Sequence, residues 1–186
     1  TVSYIEEHLN SSSQTKLKLL EQKDEIQEIA DALLSCLKNG GEIISCGNGG
    51  SACDAMHFTE ELIARYKRER PGIKARHLGD AGTITCWAND YNYDDVYARQ
   101  IKTLAGKNDA VVVFSTSGNS KNILKALEAA KENSATSIAL LGKDGGAAKG
   151  LADHSLVVPS DSTANIQEAH ITLVHIFCEL IETQLF

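Results

Sequence analysis

The chain alternates short apolar runs with longer amphipathic segments, and this alternation restricts its fold more than any other feature. Residues 109–114 (DAVVVF) form one such run, and residues 42–46 and 136–141 form two more. A strand that is apolar on both faces fits best inside a parallel sheet that helices cover on each side. Strands alternating with helices therefore predict an α/β fold built on a parallel sheet.

The other elements follow from the same periodicities. We expect strands over residues 42–46, 75–78, 109–114, 136–141 and 154–158. We expect helices over residues 2–20, 23–37, 51–66, 83–89, 96–104, 121–133 and 163–185. Because no repeat or linker interrupts these elements, we interpret residues 1–186 as one domain, with leading helices at 1–38 and an α/β core at 42–186.

The two leading helices are long for the small sheet that they precede. In the second of them, Ile26, Ile29 and Leu33 recur at helical spacing. Their apolar faces either cover their own sheet or pack against neighbouring subunits as a helical bundle. The sequence leaves both alternatives open.

Composition narrows the range of partners. The net charge of −7 argues against a general electrostatic affinity for nucleic acid or anionic membranes, and no apolar run is long enough to span a bilayer. Five cysteines without a C-x-x-C pair indicate reduced thiols, and we expect Cys53 to be a small buried hydrophobe. We therefore expect a cytoplasmic protein with no nucleic acid or membrane partner.

Two strand–loop–helix junctions are predicted to bind an anion. The first carries Gly47-Asn48-Gly49-Gly50-Ser51, and the second runs from Ser115 to Ser120 with the sequence STSGNS. Each loop ends at a helix N-terminus, where free N–H groups and the helix dipole favour negative charge. In a parallel sheet both loops lie at the carboxyl ends of the strands, where ligands bind.

The alternative for these loops is ordinary helix capping, because Ser, Thr, Asn and Gly are common cap and turn residues. Capping alone does not require the four hydroxyls of the second loop, on Ser115, Thr116, Ser117 and Ser120. The sequence lacks a Walker lysine pattern and a full G-x-G-x-x-G fingerprint. These features favour the phosphate of a small molecule over a nucleotide.

A second set of polar residues lies on two predicted helices. His57 and Glu61 share one helix face at spacing i, i+4, which suits metal binding or acid–base chemistry but equally a surface hydrogen bond. Gln167 and His175 lie two turns apart on the closing helix, where a histidine is more often a satisfied core residue. Asp90 follows a predicted helix and is interpreted first as a cap or turn residue.

Together these residues resemble the sugar isomerase (SIS) domain superfamily, and within it the phosphoheptose isomerases. The resemblance covers essentially the whole chain. It rests on SCGNGGSACDAMHFTEEL from Ser45, ANDY from Ala88, STSGNS from Ser115, GKDGG from Gly142, and IQEAH from Ile166 with His175 beyond it. STSGNS marks only the superfamily, whereas the His57–Glu61 pair combined with Gln167 and His175 is more specific.

The resemblance implies a flavodoxin-like sheet, a homotetramer built through the leading helices, and active sites lined by neighbouring subunits. It implies interconversion of D-sedoheptulose 7-phosphate and D-glycero-D-manno-heptose 7-phosphate, the first step of nucleotide-activated heptose supply for lipopolysaccharide or other surface glycans. It also implies one zinc ion per subunit.

The family's functional residues carry over by position. The phosphate contacts would be Ser51, Ser115, Thr116, Ser117 and Ser120. The rest of the substrate site would be shaped by Asn48, Gly49, Gly50, Asn89 and Asp90. The zinc ligands would be His57, Glu61, Gln167 and His175. Glu61 would act on the substrate as the base and His175 as the acid, and Gln167, an unusual zinc ligand, would also contact the substrate.

The chain departs from the family pattern immediately before the IQEAH segment. Asn165 stands where many relatives carry arginine, and Ala164 where some carry aspartate, so a charge near the substrate mouth is missing. Arg65 matches a family arginine that meets the substrate or a neighbouring subunit, but a solvated helix end explains it equally well.

Two rival functions remain. Catalytically silent relatives bind phosphosugars as regulatory or replication-initiator-associating proteins, and they tend to lose the His–Glu pair and the closing histidine. Other SIS proteins isomerise or deaminate hexose phosphates. The presence of His57, Glu61 and His175 favours the enzyme over the first rival. The helix-first layout and the IQEAH segment disfavour the second.

Overall fold

A computed structural model describes residues 2–186 as a parallel sheet between two layers of helices. The strands are β1 (Ile43–Gly47), β2 (Ala75–His77), β3 (Ala110–Ser115), β4 (Thr136–Gly142) and β5 (His154–Val158). The helices are α1 (Val2–Lys18), α2 (Lys23–Lys38), α3 (Gly50–Ile63), α4 (Ala81–Asp90), α5 (Val96–Leu104), α6 (Lys121–Glu132) and α7 (Thr163–Leu185). The predicted α/β class is confirmed.

The central strand β3 shows why the sheet needs helices on both faces. All six of its residues are buried. Val112 and Phe114 pack into a core shared with α2, α3 and α7, whereas Val111 and Val113 pack into a second core with α5 and α6. Alternate residues of a strand point to opposite faces, so this one apolar run supplies both cores.

The strand order β2-β1-β3-β4-β5 makes the fold flavodoxin-like. From β1 the chain moves outward to β2 and then returns to pair β3 with the other side of β1, with Gly47 opposite Phe114. The order reverses between β1 and β3, and their two following loops diverge to opposite sides of the sheet. That point opens a crevice at the carboxyl ends of the strands.

The two leading helices behave differently from each other. On α2, Ile26, Ile29 and Leu33 are buried in the core beneath the sheet. Helix α1 packs against α7 but leaves large apolar side chains in solvent, namely Tyr4, Ile5, Leu9 and Leu17, followed by Leu20 in the short 3₁₀ turn before α2. Helix α2 therefore covers its own sheet, and the exposed face of α1 fits packing against a neighbouring subunit. Association through α1 stays a prediction.

Across residues 2–186, none of the helices combines the length and the apolar character that crossing a membrane requires.

Helix α3 ends at Ile63, three residues before the predicted end at 66. Beyond it, the backbone N–H groups of Tyr66, Lys67 and Arg68 donate to the carboxylate of Glu182 on α7, at 3.0–3.2 Å. These donors are the ones that another helical turn would have needed. The predicted end was wrong because a carboxylate distant in sequence captures this segment.

The same carboxylate forms a buried ion pair. Arg70 Nε donates to Glu182 Oε1 at 2.8 Å, and the two side chains are 0% and 1% exposed. The remaining guanidinium N–H groups donate to the carbonyls of Glu61 and Leu62 at 2.8 and 2.9 Å. This network fixes the C-terminal end of α3 against α7.

We predict that Glu182→Gln lowers the free energy of unfolding by about 3 kcal/mol at pH 7, because it leaves a buried guanidinium without its counter-ion. Burial by itself would raise the pKa of Glu182, but the Arg68 N–H and the Arg70 guanidinium hold it below its ordinary value. The stability that Glu182→Gln removes is therefore fully present in the unaltered protein above about pH 4.5, the ordinary pKa of a glutamate. This stability difference shrinks as the pH falls through the lower pKa of Glu182 in the folded state. Urea unfolding at several pH values measures it.

Glu179→Gln is the matched control, because Glu179 lies on the same helix and pairs with Lys67 in solvent. It should leave the urea midpoint unchanged. Equal losses in the two variants would contradict a special role for the buried pair.

Candidate active site

The loops after β1 and β3 lie side by side at the crevice, as the sequence predicted from their shared edge. The first loop turns sharply into α3: Gly49 has φ of 56°, and a Cβ at Gly47 would lie 2.5 Å from the carbonyl oxygen of Ser51. Glycine is required at both positions, because any other residue would be strained or would clash.

A small cavity of about 60 Å³ lies between the two loops. We call it the phosphate seat. Its lining residues are Asn48, Ser51, Phe114, Ser115, Thr116, Ser117 and Ser120. A site of this size, lined mainly by hydroxyl and amide side chains, suits a single compact polar group such as a phosphate.

The helix N-termini at the seat have no side-chain caps. Gly49 precedes α3 and Ser120 precedes α6, and neither makes a side-chain capping bond within residues 2–186. By contrast, Asp80 and Ser162 cap α4 and α7 in the ordinary way, through their side-chain oxygens. In the first turn of α3 the N–H groups of Ser51 and Ala52 donate to the carbonyls of Asn48 and Gly49. The Gly50 N–H, the first N–H groups of α6 and the Ser120 hydroxyl are therefore available to a bound anion.

The turn after β4 supports the second loop from behind. Gly118 has φ of 63°, and a Cβ on it would lie 2.0 Å from the carbonyl oxygen of Gly145. The carbonyl of Gly118 accepts from the Ala148 N–H at 3.0 Å, and the Asn119 side chain accepts from the Ala147 N–H at 3.0 Å. The GKDGG segment thus packs against Gly118 through Gly145, and the two alanines that follow it hydrogen-bond to the serine-rich loop.

His57, Glu61 and His175 meet farther along α3, as a cluster whose ligand atoms all lie within 4.8 Å of one another. His57 Nε2 is 3.1 Å and His175 Nε2 is 4.0 Å from Glu61 Oε1. Glu61 is 15% exposed and each histidine 40%, so the cluster is partly open to solvent. The His175 ring also stacks on Tyr66, with centroids 5.7 Å apart.

Gln167 lies on α7, about two turns before His175. A Cβ built on Gly50 would be 2.5 Å from Gln167 Nε2, so the amide lies at the N-terminus of α3, beside the phosphate seat. Eight residues separate Gln167 from His175, which is about 12 Å along α7. The structure therefore groups His57, Glu61 and His175, whereas a metal contact from Gln167 stays a prediction.

Asn89 and Asp90 form the exposed C-terminal end of α4, so Asp90 is the last helical residue and does not follow the helix. Asn89 Nδ2 donates to Asp90 Oδ1 at 2.9 Å, and neither residue lines the seat. Helix α4 has no buried residue at all. Its position relative to a substrate stays a prediction.

Sequence reasoning missed several residues around these groups. Asn122, Tyr93 and Tyr97 hydrogen-bond to the first loop, and their only sequence signal was a position close to a motif. Asp54, one turn before His57, has a buried Oδ2 with no partner within residues 2–186; burial raises its pKa to about 6, and the nearby His57 opposes this shift.

The structure also shows the surroundings of Cys53 and Arg65. Cys53 is exposed, so the expectation of a buried hydrophobe was wrong: its position on α3 faces solvent and not the sheet. Arg65 lies beyond the end of α3, largely exposed, 3.8 Å from Glu69, as a solvated helix end would be.

Comparisons with known proteins agree with this geometry. A family model described as the SIS domain matches residues 4–142. A phosphoheptose isomerase of Helicobacter pylori (strain Shi470) is 52% identical over 151 residues, which are 81% of this chain and 79% of that relative.

Solved structures give the same result. A phosphoheptose isomerase from Francisella tularensis superposes with a TM-score of 0.94 at 40% identity, covering 98% of both chains. One from Neisseria gonorrhoeae superposes with a TM-score of 0.93 at 36% identity, covering 98% of this chain and 100% of that one. The resemblance inferred from the motifs is confirmed.

We predict that Ser120→Ala weakens the binding of inorganic phosphate by about tenfold or more, because a hydrogen bond to a charged group contributes about 1.5–3 kcal/mol. Stability should not fall, since the Ser120 side chain caps nothing. Isothermal titration calorimetry and urea unfolding measure the two quantities.

Ser162→Ala is the opposite case and the control. The Ser162 side chain accepts the Asn165 N–H at the start of α7, so its loss should cost about 1 kcal/mol of stability. Phosphate affinity should be unchanged. If Ser120→Ala instead destabilised the protein and bound phosphate normally, the hydroxyl would be a cap and not a ligand.

Proposed function

Because the chain belongs to the SIS domain family, and within it to the phosphoheptose isomerases, we propose that it interconverts D-sedoheptulose 7-phosphate and D-glycero-D-manno-heptose 7-phosphate. This reaction begins the synthesis of nucleotide-activated heptose for lipopolysaccharide or other surface glycans. The observation that carries the proposal is the cluster of His57, Glu61 and His175, which shares α3 with the phosphate seat.

The spacing along α3 suits a seven-carbon substrate. Ser51 at the seat and Glu61 in the cluster are ten residues apart, about 15 Å along the helix axis. An extended chain advances roughly 1.2 Å per bond, so phosphorus and C1 of a heptose 7-phosphate lie about 10 Å apart. The Glu61 side chain leans toward the helix N-terminus and covers much of the remaining distance.

Glu61 and His175 are the proposed acid–base pair. Glu61 takes the proton from C1 of the ketose while His175 gives a proton to the oxygen on C2, which produces an enediol. His175 then takes the proton of the C1 hydroxyl, and Glu61 returns its proton to C2, which produces the aldose. The 4.0 Å between His175 Nε2 and Glu61 Oε1 lets both side chains reach adjacent atoms of one substrate.

The same cluster fits a zinc ion. Imidazole nitrogens and a carboxylate are zinc donors, and two ligands of a tetrahedral ion lie about 3.3 Å apart. The separations of 3.1 and 4.0 Å between Glu61 and the two histidines are close to this value. We propose that His57, Glu61 and His175 hold one ion per subunit. When bound, zinc would supply a Lewis acid that polarises the substrate carbonyl.

The proposal also assigns the contacts to the phosphate and to the sugar. The phosphate is held by Ser51, Ser115, Thr116, Ser117 and Ser120. Gly49 and Gly50 let the backbone approach it closely. Gln167 lies beside Gly50, where it would contact the substrate. We also retain Gln167 as the proposed fourth ligand of the metal. Asn89 and Asp90 would contact the sugar from α4.

The quaternary and cellular settings are also proposals. The exposed apolar side chains of α1, among them Ile5, Leu9 and Leu17, support a homotetramer assembled through the leading helices. All five cysteines are free, which supports a cytoplasmic location. We treat residues 1–186 as a single SIS domain, whose partners are its sugar phosphate and copies of itself, with no nucleic acid or membrane.

We predict that Glu61→Gln lowers kcat by 10²-fold or more, because the amide cannot accept the proton. Sedoheptulose 7-phosphate should still bind, since the phosphate seat is untouched. Turnover is measured by the appearance of the aldose, and binding by calorimetry.

Glu60→Gln is the matched control on the exposed side of the same helix and should turn over normally. Normal turnover in Glu61→Gln would remove Glu61 as the base. If the unaltered protein bound sedoheptulose 7-phosphate but formed no aldose, with or without added zinc, the regulatory alternative would replace the enzyme.

We also predict that the purified protein carries up to one zinc ion per chain and that a chelator removes it together with the activity. His175→Asn should reduce the zinc content measured by atomic emission, whatever its effect on turnover. His154→Asn, which alters a histidine of β5 outside the cluster, should retain the metal. Equal zinc in both variants would contradict the proposed ligand set.

A further inference from the structure

A pair of asparagine side chains joins the two loops of the phosphate seat. Asn48 Nδ2 donates to Asn122 Oδ1 at 2.9 Å, and Asn122 Nδ2 donates to Asn48 Oδ1 at 2.8 Å. Asn48 belongs to the loop after β1, and Asn122 to the first turn of α6, which follows the loop after β3. Two reciprocal amide hydrogen bonds therefore cross the crevice at the point where the sheet order reverses.

Two tyrosines hold the same loop from its other side. Tyr93 donates its hydroxyl hydrogen to Asn48 Oδ1 at 3.0 Å, and Tyr97 donates to the carbonyl of Gly47. Burial raises the pKa of Tyr97, so its hydroxyl stays protonated and remains a donor. The first loop is thus held by side chains from α6, from α5 and from the 3₁₀ turn Tyr93–Asp95.

These hydrogen bonds occupy both lone pairs of Asn48 Oδ1. An amide oxygen has two lone pairs, and Asn48 Oδ1 already accepts from Asn122 and Tyr93. The oxygen cannot also accept a hydroxyl of the sugar without losing one of them. One amide N–H of Asn48 remains for the seat that it lines.

We propose that Asn122 is a positioning residue that sets the affinity of the site for the substrate phosphate by fixing Asn48 and the loop before α3. The inference rests on the proposed function only in taking a sugar phosphate as the ligand. Asn122 is 3% exposed and does not line the seat. It acts through Asn48 by holding the loop that carries the Gly50 N–H and the Ser51 side chain in place beside the second loop.

The chemistry of the pair explains why an amide is needed at position 122. The side chain must donate and accept at once, which a carboxylate or an alkyl group cannot do. Aspartate has the same shape but would oppose the Asn48 oxygen and add negative charge near an anion site. Alanine would leave the buried polar atoms of Asn48 with fewer partners.

The experiment compares Asn122→Ala and Asn122→Asp with the unaltered protein. Inorganic phosphate binding is measured by calorimetry, and kcat and KM are measured with sedoheptulose 7-phosphate. We expect phosphate affinity to fall at least tenfold in Asn122→Ala and further in Asn122→Asp. KM should rise by a similar factor while kcat at saturation stays within about threefold, since Glu61 and His175 are undisturbed.

Asn133→Ala is the control for a purely structural loss. Asn133 lies at the other end of α6 and donates to the carbonyls of Ile101, Lys102 and Ala105. It should destabilise the protein without changing phosphate affinity. Tyr93→Phe covers the case in which the Asn122 variants fail to fold, because it removes one exposed hydroxyl and no packing. We expect it to weaken phosphate binding about threefold.

Unchanged phosphate affinity in a folded Asn122→Ala, or in Tyr93→Phe if that variant alone folds, would overturn the inference. So would a fall in kcat at unchanged KM. The proposed reaction fails separately: a protein that binds phosphate through Asn122 but never forms the aldose would retain the positioning role and lose the isomerase.

Discussion

The pairing of β1 with β3 is the constraint on which the rest of the structure depends. It sets two loops side by side at the one position where the strand order reverses, and both loops open directly into helices. Two uncapped helix N-termini then meet around a small polar cavity. An acidic chain with a net charge of −7 can thereby capture an anion through backbone N–H groups and hydroxyls, without a cluster of basic side chains.

Helix α3 connects the phosphate seat to the cluster that we propose is catalytic. Its first residues form one wall of the seat, and Glu61, near its C-terminal end, lies in the cluster with His57 and His175. The end of this helix is held against α7 by the buried pair of Arg70 and Glu182, and α7 carries His175. Stability and the proposed chemistry therefore share one framework, because the buried ion pair joins the end of α3 to α7, and these two helices carry Glu61 and His175.

The described chain is also notable for what its own core leaves uncovered. Helix α1 exposes a row of apolar side chains, and α4 has no buried residue. The two histidines of the cluster are 40% exposed. The proposed association through α1 would cover the first of these surfaces.

The sequence alone determined the class of fold, nearly all element positions and the two polar strand–loop–helix junctions, because these depend on local periodicity and on residue types at loop positions. Its motifs also identified the family. Tertiary structure decided what depends on residues far apart in the chain. It paired Asn48 with Asn122, 74 positions away, shortened α3 through Glu182, and brought Gln167 of α7 against Gly50 at the start of α3. No periodicity encodes such contacts, because each one exists only after the sheet has brought its two segments together.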